Sequence, residues 1–134
     1  MSTPYAFTVE LGQPIGLAME TLRAALAAEQ MGIVSEVDVQ ATLKAKLGLD
    51  SPPARLVGVC SPRIAHQLMS IDPDLAALLP CGCGVNELVP GRTRIALQDP
   101  RMIAAASGNA AVAEATEEVR AALERVVARL REAG

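Results

Sequence analysis

Four side chains in this sequence are of types and spacings that could do chemistry. Cys60 stands in Val59-Cys60-Ser61-Pro62, between an apolar run and a segment that opens with a capping serine and a first-turn proline. A helix start offers unpaired amide groups and partial positive charge, so a thiolate there is expected to have a lowered pKa and to react or ligate. The plainer alternative is a small buried hydrophobe at a strand end, since free cysteine is among the most buried residue types. Pro80-Cys81-Gly82-Cys83-Gly84 sets two thiols two residues apart. In an extended chain both would project to one side and could chelate a soft metal such as copper(I) or zinc. C-x-C is a weak motif, however, and a pair of packed thiols is its ordinary meaning. His66, six residues after Cys60, completes a candidate metal set of Cys60, Cys81, Cys83 and His66, against the alternative of a solvent-facing histidine.

These groups need a scaffold, and hydropathy patterning outlines one. Tyr5 to Leu11 alternates apolar and polar residues, the period of a half-buried strand. Pro14 then introduces a helical stripe of Ile15, Ala18, Met19, Leu22 and Leu26 that stops by Gly32. Ile33 to Val39 returns to alternation, and Leu43 and Leu47 before Gly48 predict a short glycine-capped helix. After the Ser51-Pro52-Pro53 loop, Arg55 to Cys60 reads as a strand and Ile64, Ala65, Leu68 and Met69 as a helix. A short turn over Leu75 to Leu79 precedes a hairpin, Cys83 to Val89 and Thr93 to Leu97, closed by Pro90 and Gly91. Asp99-Pro100 reads as a turn. The last helix starts near Asn109, with a Val112, Val119, Leu123, Val126, Leu130 stripe, early glutamates and late arginines.

The principal elements run β-α-β-β-α-β-β-α, and predict a single α+β domain over residues 1–134. Its expected architecture is a mainly antiparallel sheet of about five strands with helices packed on one face. A chain of 134 residues fits one domain and can bury its core without disulfides or a structural metal.

Composition narrows the function. Twelve basic residues against 15 acidic leave a net charge of −3, and Tyr5 and Phe7 are the whole aromatic complement, so neither a phosphate-binding surface nor a base-stacking platform is expected. No apolar stretch approaches the ~20 residues of a membrane span, and the first residues carry no secretory pattern, so a soluble, cytoplasmic protein is expected. Three cysteines are an odd number for a disulfide framework and point to free thiols or ligands. With 51% hydrophobic residues, some apolar surface is expected to be covered in a symmetric dimer. Nucleotide-binding loops, nucleophile elbows and zinc-protease motifs are not found, and Glu36, Asp38 and Glu87 read as solvated carboxylates.

Four blocks together resemble one family. Asp38-Val39-Gln40-Ala41-Thr42-Leu43-Lys44, Gly58-Val59-Cys60-Ser61-Pro62 followed by Ala65, Leu78-Leu79-Pro80-Cys81, and Asp99-Pro100 with Met102 resemble the domain of unknown function 302 family in order and spacing. The resemblance implies an α+β fold related to TATA-binding-protein-like sheets without DNA binding, and a homodimer. It implies no settled activity. It makes Cys60, in a V-C-x-P block, and Cys81, in an L-P-C block, the shared site. Cys83 stands where that family has an apolar residue and Ser61 where asparagine is frequent, so a C-x-C chelate would be peculiar to this chain.

Three functions follow as expectations. The first is binding of a small ligand or soft metal such as copper or zinc through Cys60 and Cys81. The second is a thiol redox enzyme in which Cys60 attacks and Cys81 resolves. The third is an interaction module whose cysteines only pack.

Overall fold

The computed structural model describes residues 3–134. The elements in chain order are β1 (Ala6–Leu11), α1 (Ile15–Ala27), β2 (Gly32–Asp38), α2 (Val39–Leu47), β3 (Ala54–Cys60) and α3 (Pro62–Ile71). A 3₁₀ turn over Pro73–Leu78 leads to β4 (Cys81–Val89), β5 (Arg92–Gln98), α4 (Arg101–Ser107) and α5 (Ala110–Ala133).

Local chemistry explains most boundaries. Asp38 ends β2 by accepting a bond from the Ala41 amide at 2.9 Å, which starts α2, and Gly48 closes it at φ 67°, a conformation that favours glycine. Asn109 caps α5 through the amides of Ala111 and Val112. Glu87 reaches across the fold: one oxygen accepts from the Ile15 amide at the start of α1 and the other from Gly91 in the β4–β5 turn. Those two backbone bonds hold its carboxyl below the usual range, so it is a structural acceptor and not the solvated carboxylate its setting predicted. Glu36 and Asp38 also have partners, Glu36 with Arg23 and Arg55, and Asp38 as the α2 cap.

The five strands form one antiparallel sheet in the order β1-β5-β4-β3-β2. The α+β fold, with helices packed on one face, is as the sequence predicts. The order differs in one unforeseen element: Asp99-Pro100 does not simply turn but starts α4, with Asp99 accepting from the Arg101 amide at 3.0 Å. The short α2 is the glycine-capped helix expected before Gly48, and it buries none of its residues.

Register sorts the side chains of the sheet into two sets. Val9 opposite Ile95, Leu97 opposite Cys83, and Cys83 opposite Val57 share one face and are buried under α1, α3 and α5. The other set, with Leu56, Gly58, Gly82, Gly84 and Ala96, lies on the face away from those helices. β2 is an edge strand, and Val37, expected to be half-buried by its alternation, is exposed because its pairing with Leu56 puts it on the sheet face away from the helices.

Candidate functional site

The end of β3, the start of β4 and the start of α3 meet at one place because Val59 pairs with Cys81. Ser61 leaves the strand and Pro62 opens α3, whose Ile64 and Leu68 turn down into the core. Under this corner, α4 and α5 close a small apolar cavity of about 30 Å³. Cys60 and Cys81 both line it, together with Ser61, Thr116, Ile64, Leu79, Ile103 and Leu123. That volume has room for a water or a single ion and not for an organic ligand, which needs roughly ten times as much.

The thiols are neutral at physiological pH. Burial pushes Cys60 above its ordinary value, and it pushes Cys81 to about 11, with the neighbouring Cys60 adding to the effect. The lowered pKa expected for Cys60 at a helix start is therefore not found. Cys60 lies before the capping position, Pro62 at the first turn carries no amide proton, and burial decides the direction. Thr116, 1% exposed, is the other polar side chain deep in the wall, and its hydroxyl donates to the Ala113 carbonyl at 3.0 Å.

The four-member set of Cys60, Cys81, Cys83 and His66 is not assembled. Cys81 and Cys83 do lie in a strand and face one side, as the C-x-C spacing predicts, but Cys83 is sealed in the core opposite Val57 and Leu97 and its pKa is pushed up to about 12 by burial. It occupies an apolar position in the core. His66, about one turn into α3, lines a shallow depression with Arg63, Gln67, Ser70 and Glu114 on the outside of α3 and α5. Among the described residues, no group of three or more His, Cys, Asp or Glu side chains is placed to hold a metal ion.

Sequence reasoning passed over Ser61 and Thr116 as cavity wall. Thr116 was within reach of pattern: it stands four residues after Val112 and three before Val119, a polar residue at helical spacing in an apolar stripe. It also passed over Asp99 and Arg120, a partly buried ion pair at 3.3 Å whose guanidinium sits 5.2 Å from the centre of the Phe7 ring and fastens α5 to β1.

An antiparallel five-stranded sheet with one helix-covered face and a thiol pair at the β3–β4 corner defines a small α+β class. Residues 7–130 match the family model described as Domain of unknown function DUF302, and the chain belongs to that family. The chain is similar to a solved structure, the crystal structure of an uncharacterized conserved DUF302 protein from Bacillus stearothermophilus. That likeness has a TM-score of 0.86 at 25% identity and covers 96% of this chain and 100% of that one. A search of curated proteins finds no match. Among the described residues, no helix is long and apolar enough to cross a membrane.

Proposed function

We propose that this protein binds one soft monovalent cation, copper(I), between the sulfurs of Cys60 and Cys81. The observation that carries the proposal is that both thiols line one apolar cavity large enough for an ion and too small for an organic ligand. Soft thiolate ligands select copper(I), which is satisfied by two sulfurs, whereas structural zinc asks for four ligands that this corner does not supply. The raised thiol pKa values favour this reading over redox attack: a neutral thiol is a poor nucleophile, while a cation can displace both protons on binding. Free thiols belong to a reducing compartment, and the cytoplasm is the proposed location.

Anaerobic copper(I) titration in competition with bicinchoninate, read beside native mass spectrometry, tests it. One equivalent per chain is expected, with Cys60→Ser and Cys81→Ser each weakening uptake at least 100-fold and Cys83→Ser leaving it unchanged. Because two protons leave, apparent affinity should rise about 100-fold per pH unit below pH 9. Equal loss in all three variants, or uptake independent of pH, overturns the proposal.

We also propose a homodimer. Val37 and Leu56 face each other across β2 and β3 with their side chains largely exposed, away from the helices, and a second copy would cover them. Sedimentation equilibrium distinguishes a 13.9 kDa species from one of twice that mass.

A further inference from the structure

The β3–β4 corner sets its two thiols at the spacing of a disulfide. Val59 lies directly opposite Cys81 in the ladder, so Cys60 is one residue further along and diagonal to Cys81. Opposed Cα atoms in an antiparallel pair are about 4.5–5.5 Å apart, and one step along a strand adds about 3.4 Å at right angles. The Cα atoms of Cys60 and Cys81 are therefore roughly 6 Å apart, inside the range a disulfide bridges without moving the backbone. Regular pleating would send Cys60 to the opposite face from Cys81. Here the chain leaves the strand at Ser61, and Cys60 lines the same small cavity as Cys81.

Three free cysteines allow three pairings, and the geometry favours this one. Cys83 is sealed in the covered face opposite Val57 and Leu97. It stands two residues along one strand from Cys81, a Cα separation of about 6.8 Å at the far limit of the bridging range. Access to the remaining two sulfurs is unequal. Cys81 packs against the core and Cys60 does not, so Cys60 is the sulfur that a small oxidant meets first. Closure of the pair is a single event that needs no activated catalytic thiolate, because the second sulfur is held beside the first.

We propose that Cys60 and Cys81 close to an intramolecular disulfide on exposure to a peroxide, and that closure abolishes the copper(I) site until a dithiol reopens it. This regulation rests on the cation reading above. The Cys60 sulfur attacks one oxygen of hydrogen peroxide, the O–O bond breaks, and the departing hydroxide takes the thiol proton to leave as water, with Cys60 now a sulfenic acid. The Cys81 sulfur then attacks the Cys60 sulfur. The S–S bond forms, the S–O bond breaks, and the hydroxyl leaves with the Cys81 proton as a second water. Two thiols thus lose two electrons and two protons, and peroxide is reduced to two waters. Neither sulfur of a disulfide is the thiolate that a soft cation selects, so the closed and loaded states exclude each other. Reopening is exchange with an external dithiol, which departs as its own disulfide, and in a reducing compartment the closed form is transient.

The test uses the unmodified chain, reduced and desalted anaerobically, then treated with hydrogen peroxide. Its mass should fall by two hydrogens, thiols titrated in denaturant should fall from three to one, and peptide mapping should join Cys60 to Cys81. The oxidised chain should take up about 10-fold less copper(I) against bicinchoninate, and dithiothreitol followed by desalting should restore uptake. Copper(I) loaded beforehand should slow thiol loss by about the same factor. Cys81→Ala should leave Cys60 as a sulfenic acid that dimedone captures, with no link. With copper uptake by the reduced chain intact, the absence of a link, a link through Cys83, one between chains, or full uptake by the linked chain overturns the switch and leaves the cation site standing. No uptake by the reduced chain overturns the cation reading and with it the switch, even where the link forms.

Discussion

The two faces of the sheet are built from alternate residues of the same strands, yet they are different materials. Toward the helices the strands present Val9, Leu11, Val57, Val59, Val85, Ile95 and Leu97, all buried. On the other face stand Gly58, Gly82, Gly84 and Ala96, with Leu56 60% exposed among them. The lesson is that position in a pleat, and not residue type, decides what a side chain contributes. It applies to the cysteines too, since Cys83 is sealed within the covered face while Cys60 and Cys81 lie where that face ends at a cavity.

The sharpest test of the contrast uses one substitution on each side. Leu97→Ala should cost about 2–5 kcal/mol in urea unfolding, because Leu97 is 1% exposed and its loss leaves a cavity. Leu56→Ala, measured at dilutions where the chain is monomeric, should stay within about 0.5 kcal/mol because Leu56 is 60% exposed in the single chain. Similar costs at the two positions would break the comparison.

Alkaline unfolding comes next in size. The folded pKa values of Cys81 and Cys83, about 11 and about 12, lie above the ordinary 9.0. Their contribution is therefore complete below pH 9 and is lost as pH rises toward 11 and 12, by a few kcal/mol at about 1.4 kcal/mol per unit. Cys83→Ala should flatten the fall in stability above pH 9, read from unfolding midpoints between pH 8 and 11. An unchanged slope would mean that the covered face admits water at β4.

Glycines refine the picture of the opposite face. A Cβ at Gly58 would come within 2.3 Å of Ser35 Oγ and 2.6 Å of Pro80 Cγ, so Gly58→Ala should cost about 1–3 kcal/mol. A Cβ at Gly82 meets nothing within 4 Å, and Gly82→Ala should be near neutral by thermal denaturation. The smallest effect belongs to acid. Glu87 is lowered by the Gly91 and Ile15 amides, so its support is present above about pH 4.5 and fades as pH falls through its folded value. Glu87→Gln should give a shallower decline of melting temperature between pH 5 and 3.

Patterning made the scaffold legible wherever a stripe or an alternation had a partner to pack against. The helical spacing from Ile15 to Leu26, the Pro90-Gly91 turn and the Asn109 cap each correspond to an element of the structure. It misled where burial depends on the tertiary surroundings: Val37 alternates with Glu36 and Asp38, yet its pairing with Leu56 puts it on the uncovered face of the sheet, and Asp99-Pro100 has turn chemistry yet opens a helix. Of the candidate site, the sequence marked Cys60 and Cys81 but not the wall between them and the outside. The direction of the Cys60 pKa was beyond it because the capping pattern says nothing about how deeply a residue is covered. His66 was drawn in by proximity along the chain, although its depression lies on the outer side of α3.

The sheet order has a consequence for how the molecule comes into being. Ala6 pairs with Gln98, and Thr93 donates to the Gln13 carbonyl 80 residues away, so the first strand cannot find its neighbour until nearly the whole sheet exists. The β4–β5 hairpin needs only a tight turn, and β3 and β2 can zip onto it in sequence. During synthesis at about 5–20 residues per second, β1 therefore waits several seconds as an unpaired apolar strand. The segment most exposed to chaperones and to misassembly at birth is thus the one whose alternation is easiest to recognise.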